Sequence, residues 1–404
     1  MLTPLVEPGP DLAPADVVRY ARHLALPGVG PDGQRRLAAA RVLVVGAGGL
    51  GSPVLLYLAA AGVGTLGVVD DDVVDVTNLQ RQVVHGVDDV GRPKTTSARE
   101  TVAAVNPGVR VVEHRERLGA ANALTVLRGY DLVVDGSDNF ATRYLVSDAA
   151  ELLGLPVVWG GLHQFQGQVS VFWAAPTQGD GVTYRDVFPE PPPPALAPNC
   201  ATGGVLGALC GTLGSAMATE AVKLIVGVGR PLLGRLAVHD ALDATWRHLT
   251  VQRDPSRSPV TSLLDDAAYA TFCGLRPATH RDSGDAVAAS SVSVGELARL
   301  RAEADAFVLD VREAWEAQAV PFDGSLLVPS GAFLGADPAA ATSQVAAAAA
   351  GRTVHVVCRS GVRSARVAAV LRAAGTDARD VVGGLDAWAR ELGQQTTRQS
   401  VDQP

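Results

Sequence analysis

The segment between residues 41 and 70 constrains the fold more than any other part of this 404-residue chain. It contains seven glycines, and its pattern predicts a strand at 42–45, a helix at 49–61 and a second strand at 65–70. Further apolar strands are predicted at 109–114, 131–135 and 156–159. Buried strands that alternate with helices favour a mostly parallel sheet that is covered on both faces. The predicted fold class is therefore α/β.

The chain is long enough for two domains, and its composition changes between them. The strand and helix pattern of the first domain covers residues 17–252, after a proline-rich arm at 1–16. A stretch rich in Asp, Ser, Pro and Ala at 253–290 is predicted to be a linker. A second, smaller α/β unit follows at 291–395, and a polar tail occupies 396–404.

The charge balance narrows the range of partners. The 34 basic and 42 acidic side chains give a net charge of −8, which argues against binding to nucleic acid or to an anionic membrane. An apolar segment at 203–219 runs into Glu220 and Lys223, which predicts a packed helix and not a membrane span. The four cysteines are not closely paired and no N-terminal signal is evident, which predicts a cytoplasmic protein with reduced thiols.

A glycine-rich loop joins the first predicted strand to the first helix. Such a loop lets the backbone approach phosphate at a helix N-terminus, and its glycines here are Gly46, Gly48, Gly49 and Gly51. Asp70 ends the next strand, where a carboxylate can accept hydrogen bonds from ribose hydroxyls. This pattern alone also fits NAD or FAD binding, so a nicotinamide-dependent oxidoreductase stays an alternative.

Three later segments add polar and basic side chains that do not fit a dehydrogenase. Amides and an arginine follow one another in Thr77, Asn78, Leu79, Gln80 and Arg81. Lys94 begins a helix and is one of two lysines among the 34 basic residues, which suggests a compact ammonium group near phosphate oxygens. Asp138 and Asn139 follow the end of a strand, and Asp138 is a candidate ligand for a Mg²⁺ shared with phosphates.

With these segments, residues 17–252 resemble the adenylyltransferase family that activates ubiquitin-like sulfur-carrier proteins. The resemblance implies a Rossmann-like domain in which the glycine loop, Asp70 and the segment 77–81 bind ATP. It also implies that the partner is a ubiquitin-like protein whose C-terminal glycine carboxylate is activated.

The same resemblance assigns roles to individual charged groups. Arg81 and Lys94 would contact phosphates, and Asp138 and Asn139 would contact the metal and the nucleotide. Arg22 matches an arginine that reaches into the site of a partner subunit, so the resemblance implies a homodimer. The three cations, together with Mg²⁺, would cancel the repulsion between the carrier carboxylate and the triphosphate.

A second chemical motif lies in the smaller unit. Cys358 ends a predicted strand, and the loop that follows consists of Arg359, Ser360, Gly361, Val362 and Arg363. Backbone N–H groups that point into such a loop stabilise a thiolate or a persulfide. Residues 291–392 resemble a rhodanese sulfurtransferase domain, which implies that Cys358 carries a persulfide. A cysteine phosphatase also pairs its cysteine with a loop arginine, so Arg363 keeps that alternative open.

Two further expectations depend on the adenylyltransferase resemblance. Cys200 follows a proline-rich loop, and a cysteine at this point of the family can take part in a covalent intermediate with the carrier. The family commonly binds structural zinc through two Cys-x-x-Cys pairs, whereas the matching positions here are Thr183, Asp186, Ser258 and Thr261. We expect no structural zinc, because hydroxyls and one carboxylate cannot form a tetrathiolate site.

The combined expectation is an enzyme with two activities. It would adenylylate the C-terminal glycine of a sulfur carrier with ATP and then transfer sulfur from Cys358 to give a thiocarboxylate. Such products feed the synthesis of molybdenum cofactor, thiamine, cysteine or thiolated tRNA. The sulfur donor would be thiosulfate or a cysteine desulfurase. A non-catalytic scaffold for ubiquitin-like partners is the remaining alternative.

Overall fold

The computed structural model describes residues 3–192, 204–274, 290–303, 306–335 and 337–393. The chain divides into two compact units, Met1–Pro277 and Ala278–Pro404. Each unit has its own sheet and its own buried apolar side chains. The predicted domain boundaries stay predictions at the level of individual residues.

One sheet forms the centre of the first unit. Its strands are β1 Arg41–Val45, β2 Thr65–Val69, β3 Arg110–His114, β4 Leu132–Asp135, β5 Val157–His163, β6 Gln166–Phe172, β7 Arg235–Asp240 and β8 Thr245–Thr250. They lie in the order β3-β2-β1-β4-β5-β6-β7-β8, parallel from β3 to β5 and antiparallel from β5 to β8. The predicted α/β class with a mostly parallel sheet is confirmed.

The helices of this unit connect the strands and cover the sheet. They are Pro14–Arg19, Ala21–Leu24, Gly30–Ala39, Gly51–Ala61, Lys94–Val105, Ala123–Leu127, Phe140–Leu153, Tyr184–Val187, Gly207–Val226 and Asp266–Phe272, with short 3₁₀ helices at Val76–Asn78 and Val87–Asp89. Side chains of β1 alternate between the two faces of the sheet, as the twofold period of a strand requires. Val42 and Val44 belong to one buried cluster, whereas Leu43 and Val45 belong to the cluster on the other face. Both faces of the sheet are therefore covered.

The helix Gly207–Val226 is long and apolar enough to cross a membrane by length and composition. In this structure, however, it packs in the core of the first unit, where Leu213 and Met217 are completely buried. A Cβ at Gly214 would lie 2.2 Å from Pro53 Cγ, so the helix needs a glycine to approach its neighbour. The small residues of this helix serve close packing inside the unit.

The second unit contains a parallel sheet of its own. Its strands are β9 Ser291–Val292, β10 Phe307–Asp310, β11 Ser325–Leu327, β12 Val354–Val357 and β13 Ala378–Val381, in the order β11-β10-β12-β13-β9. The helices are Val294–Ala302, Ala314–Ala319, Gly331–Leu334, Ala339–Ala349, Val362–Ala373 and Gly384–Leu392. Strand β12 lies at the centre of the sheet, and its end carries Cys358 into the loop that was predicted to be reactive.

A buried ion-pair network contains two of the four positions that lack thiolate ligands. The Asp186 carboxylate accepts hydrogen bonds from the backbone N–H and the hydroxyl of Thr183. Arg257 Nε donates to Asp186 at 2.8 Å, and both terminal nitrogens of Arg257 donate to Glu151 at 3.2 Å. Ser258 and Thr261 follow Arg257 in the chain. Charged hydrogen bonds thus join these segments, and the absence of structural zinc stays a prediction.

This network is sensitive to acid. Burial raises the pKa of the Asp186 carboxyl, but hydrogen bonds from Thr183 and Arg257 outweigh burial and leave its pKa below the ordinary value. The carboxylate therefore stabilises the fold at pH values above about 4 and ceases to do so as the pH falls through its folded-state pKa.

We expect Arg257→Met to destabilise the first unit by about 3 kcal/mol, because it leaves two buried carboxylates without their cation. The Asp186 and Glu151 side chains are 1% and 8% exposed. Urea unfolding at pH 7 measures the loss. Arg253→Met is the matched control, since Arg253 is exposed and its loss should cost less than about 0.5 kcal/mol. Equal destabilisation by the two substitutions would show that the network does not hold these segments.

Candidate functional site

The glycine-rich loop turns sharply between β1 and the helix Gly51–Ala61. Gly46 has a φ of +86°, a left-handed conformation that other residues rarely adopt. A Cβ at Gly51 would lie 1.8 Å from the carbonyl oxygen of Gly46, so this position also requires glycine. No described side chain caps this helix N-terminus, which leaves backbone N–H groups for an anionic ligand.

A cavity of about 310 Å³, here called the nucleotide cavity, opens at the carboxyl ends of β1, β2 and β4. Ligands of open α/β sheets bind at this edge, where the strand order reverses. The predicted residues that line the cavity are Gly46, Gly48, Gly49, Asp70, Arg81, Lys94, Asp138 and Asn139. The fold thus brings five separate segments of the sequence to one place.

Five other predicted residues shape this region without being part of the described cavity lining. Gly51 closes the loop, and the turn before Arg81 consists of Thr77, Asn78, Leu79 and Gln80. The Asp75 side chain accepts from the Thr77 N–H and caps this turn. Arg81 Nη1 donates to the Thr77 carbonyl at 3.0 Å, so the turn holds the arginine at the cavity wall. Direct contact of these five with a nucleotide stays a prediction.

The Asp70 carboxylate ties the glycine loop to the turn after β2. Its oxygens accept from the Ala47 N–H at 2.8 Å and from the Asp72 N–H at 2.9 Å. Burial raises the pKa of Asp70 above its ordinary value, although the charge of Lys94 opposes this. Lys94 is 6% exposed, and its Nζ donates to the Asp72 carboxylate at 2.8 Å. Because Asp72 is largely exposed and hydrated, phosphate oxygens can compete with it for the ammonium group.

Sequence reasoning missed several polar residues of the nucleotide cavity, namely Asp71, Asp72, Arg117 and Arg143, and it placed Gln82 in the amide-rich segment without giving it a role. The carboxylates of residues 70–72 lie within 4.8 Å of one another and are, within the described ranges, the one such group that could share a cation. The run of three aspartates directly after a strand was the sequence signal that could have identified this group.

Gln82 Oε1 is buried and has no hydrogen-bond partner in the described part of the chain. Such an atom fits a site that a polar ligand completes.

Arg143 lies in the wall shared by the nucleotide cavity and a second cavity of about 730 Å³, here called the aromatic cavity. Its Nε and Nη2 donate to the Ser137 carbonyl at 3.2 and 3.0 Å. The guanidinium lies over the rings of Phe140 and Trp159 at 5.1 and 5.6 Å. These partners are neutral, although the charge of Arg143 also interacts with the buried Asp135 carboxyl. The guanidinium borders both cavities, so an anion at their junction can approach it. Its position four residues after Asn139, near the start of a helix, was the only sequence signal.

In the second unit, Cys358 is buried at the end of β12. Its Sγ accepts from the N–H groups of Gly361 and Ser364 at 3.2 and 3.4 Å. Gly361 has a φ of +90°, and a Cβ there would lie 2.9 Å from the backbone nitrogen of Gly383. The loop therefore wraps backbone donors around the sulfur, as predicted from the spacing of strand, loop and helix.

The arginines of this loop are paired with carboxylates. Arg363 donates to Glu316 through both terminal nitrogens, at 2.6 and 2.7 Å. Arg359 lies 3.5 Å from Asp386, and both of these side chains are half exposed. A phosphate at this loop would therefore have to compete with the Glu316 carboxylate for the Arg363 guanidinium. Ser360 and Val362 complete the loop, and Val362 is exposed.

Two residues predicted to be catalytic are not placed at either site. Arg22 is exposed on the helix Ala21–Leu24 and is not part of the described lining of the nucleotide cavity in its own chain. Cys200 lies outside the described residues. Of the other cysteines, Cys210 is buried in the wall of the nucleotide cavity beside Gly49. Burial raises the pKa of the Cys273 thiol to about 11, so this thiol stays protonated at neutral pH.

Comparison with known proteins agrees with this division into two sites. Residues 20–260 match the ThiF family, and residues 293–391 match the rhodanese-like domain. The probable adenylyltransferase/sulfurtransferase MoeZ of Mycobacterium tuberculosis is 49% identical, over 97% of this chain and 97% of its own length. The sulfur carrier protein adenylyltransferase of Thermus thermophilus is 54% identical, over 64% of this chain and 97% of its own.

One solved structure has a similar fold over part of this chain. Escherichia coli MccB in complex with MccA-N7isoASN has a TM-score of 0.53 and 21% identity, and the match covers 60% of this chain and 74% of that one. At this identity the likeness concerns the fold alone. The relatives that match over nearly the whole length carry the stronger conclusion. The chain belongs to the ThiF family, among the adenylyltransferase/sulfurtransferases that combine a ThiF domain with a rhodanese-like domain.

Proposed function

We propose that the first unit uses ATP to adenylylate the C-terminal carboxylate of a ubiquitin-like sulfur-carrier protein, and that the second unit supplies sulfur from Cys358. The observation that carries this proposal is the junction between the nucleotide cavity and the aromatic cavity, with Arg143 in the shared wall. Membership of the ThiF family implies the use of ATP. The printed name of the Thermus relative states that it acts on a sulfur carrier protein.

The first step needs charge neutralisation more than acid–base chemistry. A C-terminal carboxylate, with a pKa of about 3.5, is already ionised at neutral pH. It would attack the α-phosphorus of ATP, form the acyl-adenylate and release pyrophosphate. Arg81 and Lys94 line the cavity and would offset the negative charge of the phosphates. Asp138 would hold a Mg²⁺ together with the aspartates at residues 70–72. The charge of this ion would add to the neutralisation of the phosphates.

The aromatic cavity suits an extended peptide that ends at the nucleotide. Its walls include Trp159, Tyr184 and Phe188, which offer apolar surface to a chain of small residues. Arg143 would receive the carboxylate where the two cavities join. A carrier tail placed in this way presents its terminal oxygen to the α-phosphate.

Sulfur transfer from the Cys358 persulfide of the second unit would follow adenylylation. The terminal sulfur of a Cys358 persulfide attacks the acyl carbonyl, AMP leaves, and an acyl disulfide forms. A second thiolate then attacks the Cys358 sulfur, so that the thiocarboxylate departs with its electron pair and a disulfide remains. The predicted role of Cys200 stays a covalent intermediate with the carrier, so an external thiol would supply this second thiolate. A further thiol would then return Cys358 to the reduced state.

The function is tested by mass spectrometry of candidate carriers after incubation with the full chain, ATP and a sulfur donor. The expected product is a carrier in which one oxygen is replaced by sulfur. Tight NADH binding without ATP–pyrophosphate exchange would support the oxidoreductase alternative instead. Carrier binding without adenylylation would support the scaffold.

We also propose that the enzyme works as a homodimer in which Arg22 completes the partner subunit's site. Its exposure and its position outside the nucleotide cavity of its own chain support this assignment. Mixing equal amounts of Arg22→Ala and Lys94→Met subunits should restore about a quarter of the parent adenylylation, because about half of the randomly formed dimers are mixed and each of these contains one intact site. Sedimentation velocity reports the assembly state. A fully active monomer would contradict the proposal.

The cytoplasm is the proposed location of this chemistry. A persulfide carrier must return to a thiol after each turnover, and reducing compartments maintain thiols. The low number of cysteines and their wide spacing support this location. Fractionation of cells that express the tagged chain would test it.

A further inference from the structure

A buried histidine, His85, lies against the glycine loop but outside the described lining of the nucleotide cavity. It is 6% exposed. Its Nε2 lies 3.0 Å from the carbonyl oxygen of Ala47, and its Nδ1 lies 2.8 Å from the hydroxyl oxygen of Ser97. Ala47 belongs to the glycine loop, whereas Ser97 lies in the first turn of the helix that begins at Lys94. One imidazole ring therefore joins two elements that line the nucleotide cavity.

The contacts of this ring determine which of its nitrogens carries the proton. Burial lowers the pKa of His85 below its ordinary value, so the ring is neutral at pH 7 and has one N–H donor. A carbonyl oxygen can only accept, so the proton lies on Nε2, and Nδ1 accepts from the Ser97 hydroxyl. The Asp89 carboxylate also interacts with this hydroxyl, but it accepts from Arg92 at 2.6 Å as well. A neutral ring with its proton on Nδ1 would instead place two acceptors, Nε2 and the Ala47 oxygen, 3.0 Å apart.

The bond to the Ala47 carbonyl also decides where the next backbone N–H points. The peptide bond between Ala47 and Gly48 is trans, so its C=O and N–H groups point in opposite directions. Ala47 is fully buried, whereas Gly48 lines the nucleotide cavity. Within the described ranges, the Gly48 N–H has no hydrogen-bond acceptor. Because His85 holds the carbonyl on the buried side, this N–H is left for a ligand on the other side.

The glycine loop needs such an anchor, because a peptide followed by glycine can turn over at little steric cost. The other peptide group of Ala47 is held as well, since its N–H donates to Asp70 at 2.8 Å. At the far end, the Lys94 N–H donates to the Asp72 carbonyl at 3.0 Å. Hydrogen bonds thus run from the turn after β2 through the glycine loop and His85 to the helix that begins at Lys94, and back to that turn.

We propose that His85 is a positioning residue, which aims the Gly48 N–H at the phosphates of ATP and fixes the glycine loop relative to Lys94. The residue touches no ligand itself. This inference rests on the proposed use of ATP by the first unit. Its consequence is selective, because removal of the ring disturbs groups that face phosphate and leaves the surroundings of the nucleoside in place.

The test measures the Kd of MgATP and the Kd of adenosine for the full chain by isothermal titration calorimetry. His85→Leu should raise the Kd of MgATP about tenfold, the scale of one lost hydrogen bond to a charged ligand, and leave the Kd of adenosine within about twofold. His85→Gln should keep the Kd of MgATP within about threefold of the parent. Its amide nitrogen is as many bonds from Cα as Nε2 is, and it can donate to the same carbonyl. Ser97→Ala, which only loosens the ring, should raise the Kd of MgATP about threefold.

His239→Leu is the matched control for these variants. His239 is 7% exposed, and its Nδ1 also lies within hydrogen-bond distance of a backbone carbonyl, that of Thr245, at 2.9 Å. It is not part of the described lining of either cavity. The Kd of MgATP should therefore stay within about twofold of the parent in this variant.

Three results would overturn the role of His85. They are equal weakening of MgATP and adenosine in His85→Leu, a His85→Gln variant as weak as His85→Leu, and equal MgATP binding in the His85→Leu and His239→Leu variants. If His85→Leu fails to fold, Ser97→Ala decides, and unchanged MgATP binding in that variant would also overturn the role. A parent chain that binds NADH but not MgATP would instead overturn the proposed function, so the two failures are distinguishable.

Discussion

Replacing Cys358 with serine is expected to lower thiocarboxylate formation by about 10³-fold or more, because the hydroxyl can neither ionise at neutral pH nor carry a sulfur atom. The loop should keep its shape, since serine can accept the same N–H donors from Gly361 and Ser364 that surround Sγ now. ATP–pyrophosphate exchange with carrier should stay within about twofold of the parent, because adenylylation uses the separate site of the first unit. Mass spectrometry of the carrier measures the product.

Cys273→Ser provides the matched control for this loss. Cys273 is also buried, but it packs in the core of the first unit and takes no part in either site. Thiocarboxylate formation by this variant should therefore stay close to that of the parent. Added sulfide should bypass the block in Cys358→Ser, since sulfide can attack the acyl-adenylate directly. Parent-rate transfer from a persulfide donor in Cys358→Ser would mean that another thiol carries the sulfur.

Lys94→Met should reduce ATP–pyrophosphate exchange by about 10²- to 10³-fold, the usual cost of removing one charged group that stabilises a transition state. The substitution removes the buried ammonium that now faces Asp72 and leaves that carboxylate beside the phosphates. Cys358-dependent thiocyanate formation should survive, because that chemistry belongs to the second unit. Exchange of labelled pyrophosphate into ATP in the presence of carrier is the measurement.

The second lysine of the chain supplies the control. Lys223 lies at the end of the helix Gly207–Val226, where it is paired with Glu220 and donates to the Arg230 carbonyl. Lys223→Met should leave exchange within about twofold of the parent. A loss of exchange in both variants, together with a lowered melting temperature, would assign the effect to folding and remove the case for Lys94 as a phosphate contact.

The sequence alone determined the features that depend on local backbone geometry. The glycine loop was predictable because Gly46 needs a positive φ and Gly51 admits no side chain. The parallel sheet was predictable because uninterrupted apolar strands between helices require burial on both faces. The loop at Cys358 was predictable because a strand, a short loop and a helix N-terminus follow one another directly in the chain, although its close packing against Gly383 was not.

Only the tertiary structure decided which distant side chains meet and how their charges are balanced. Lys94 pairs with Asp72 across 22 positions, Arg363 with Glu316 across 47, and Arg257 with Glu151 across 106. Arg143 became part of the site because the helix that carries it borders two cavities at once. None of these pairings has a period or spacing in the sequence. Strand order and chain crossings set them, and the cost of burying an unpaired charge then selects which partners are brought together.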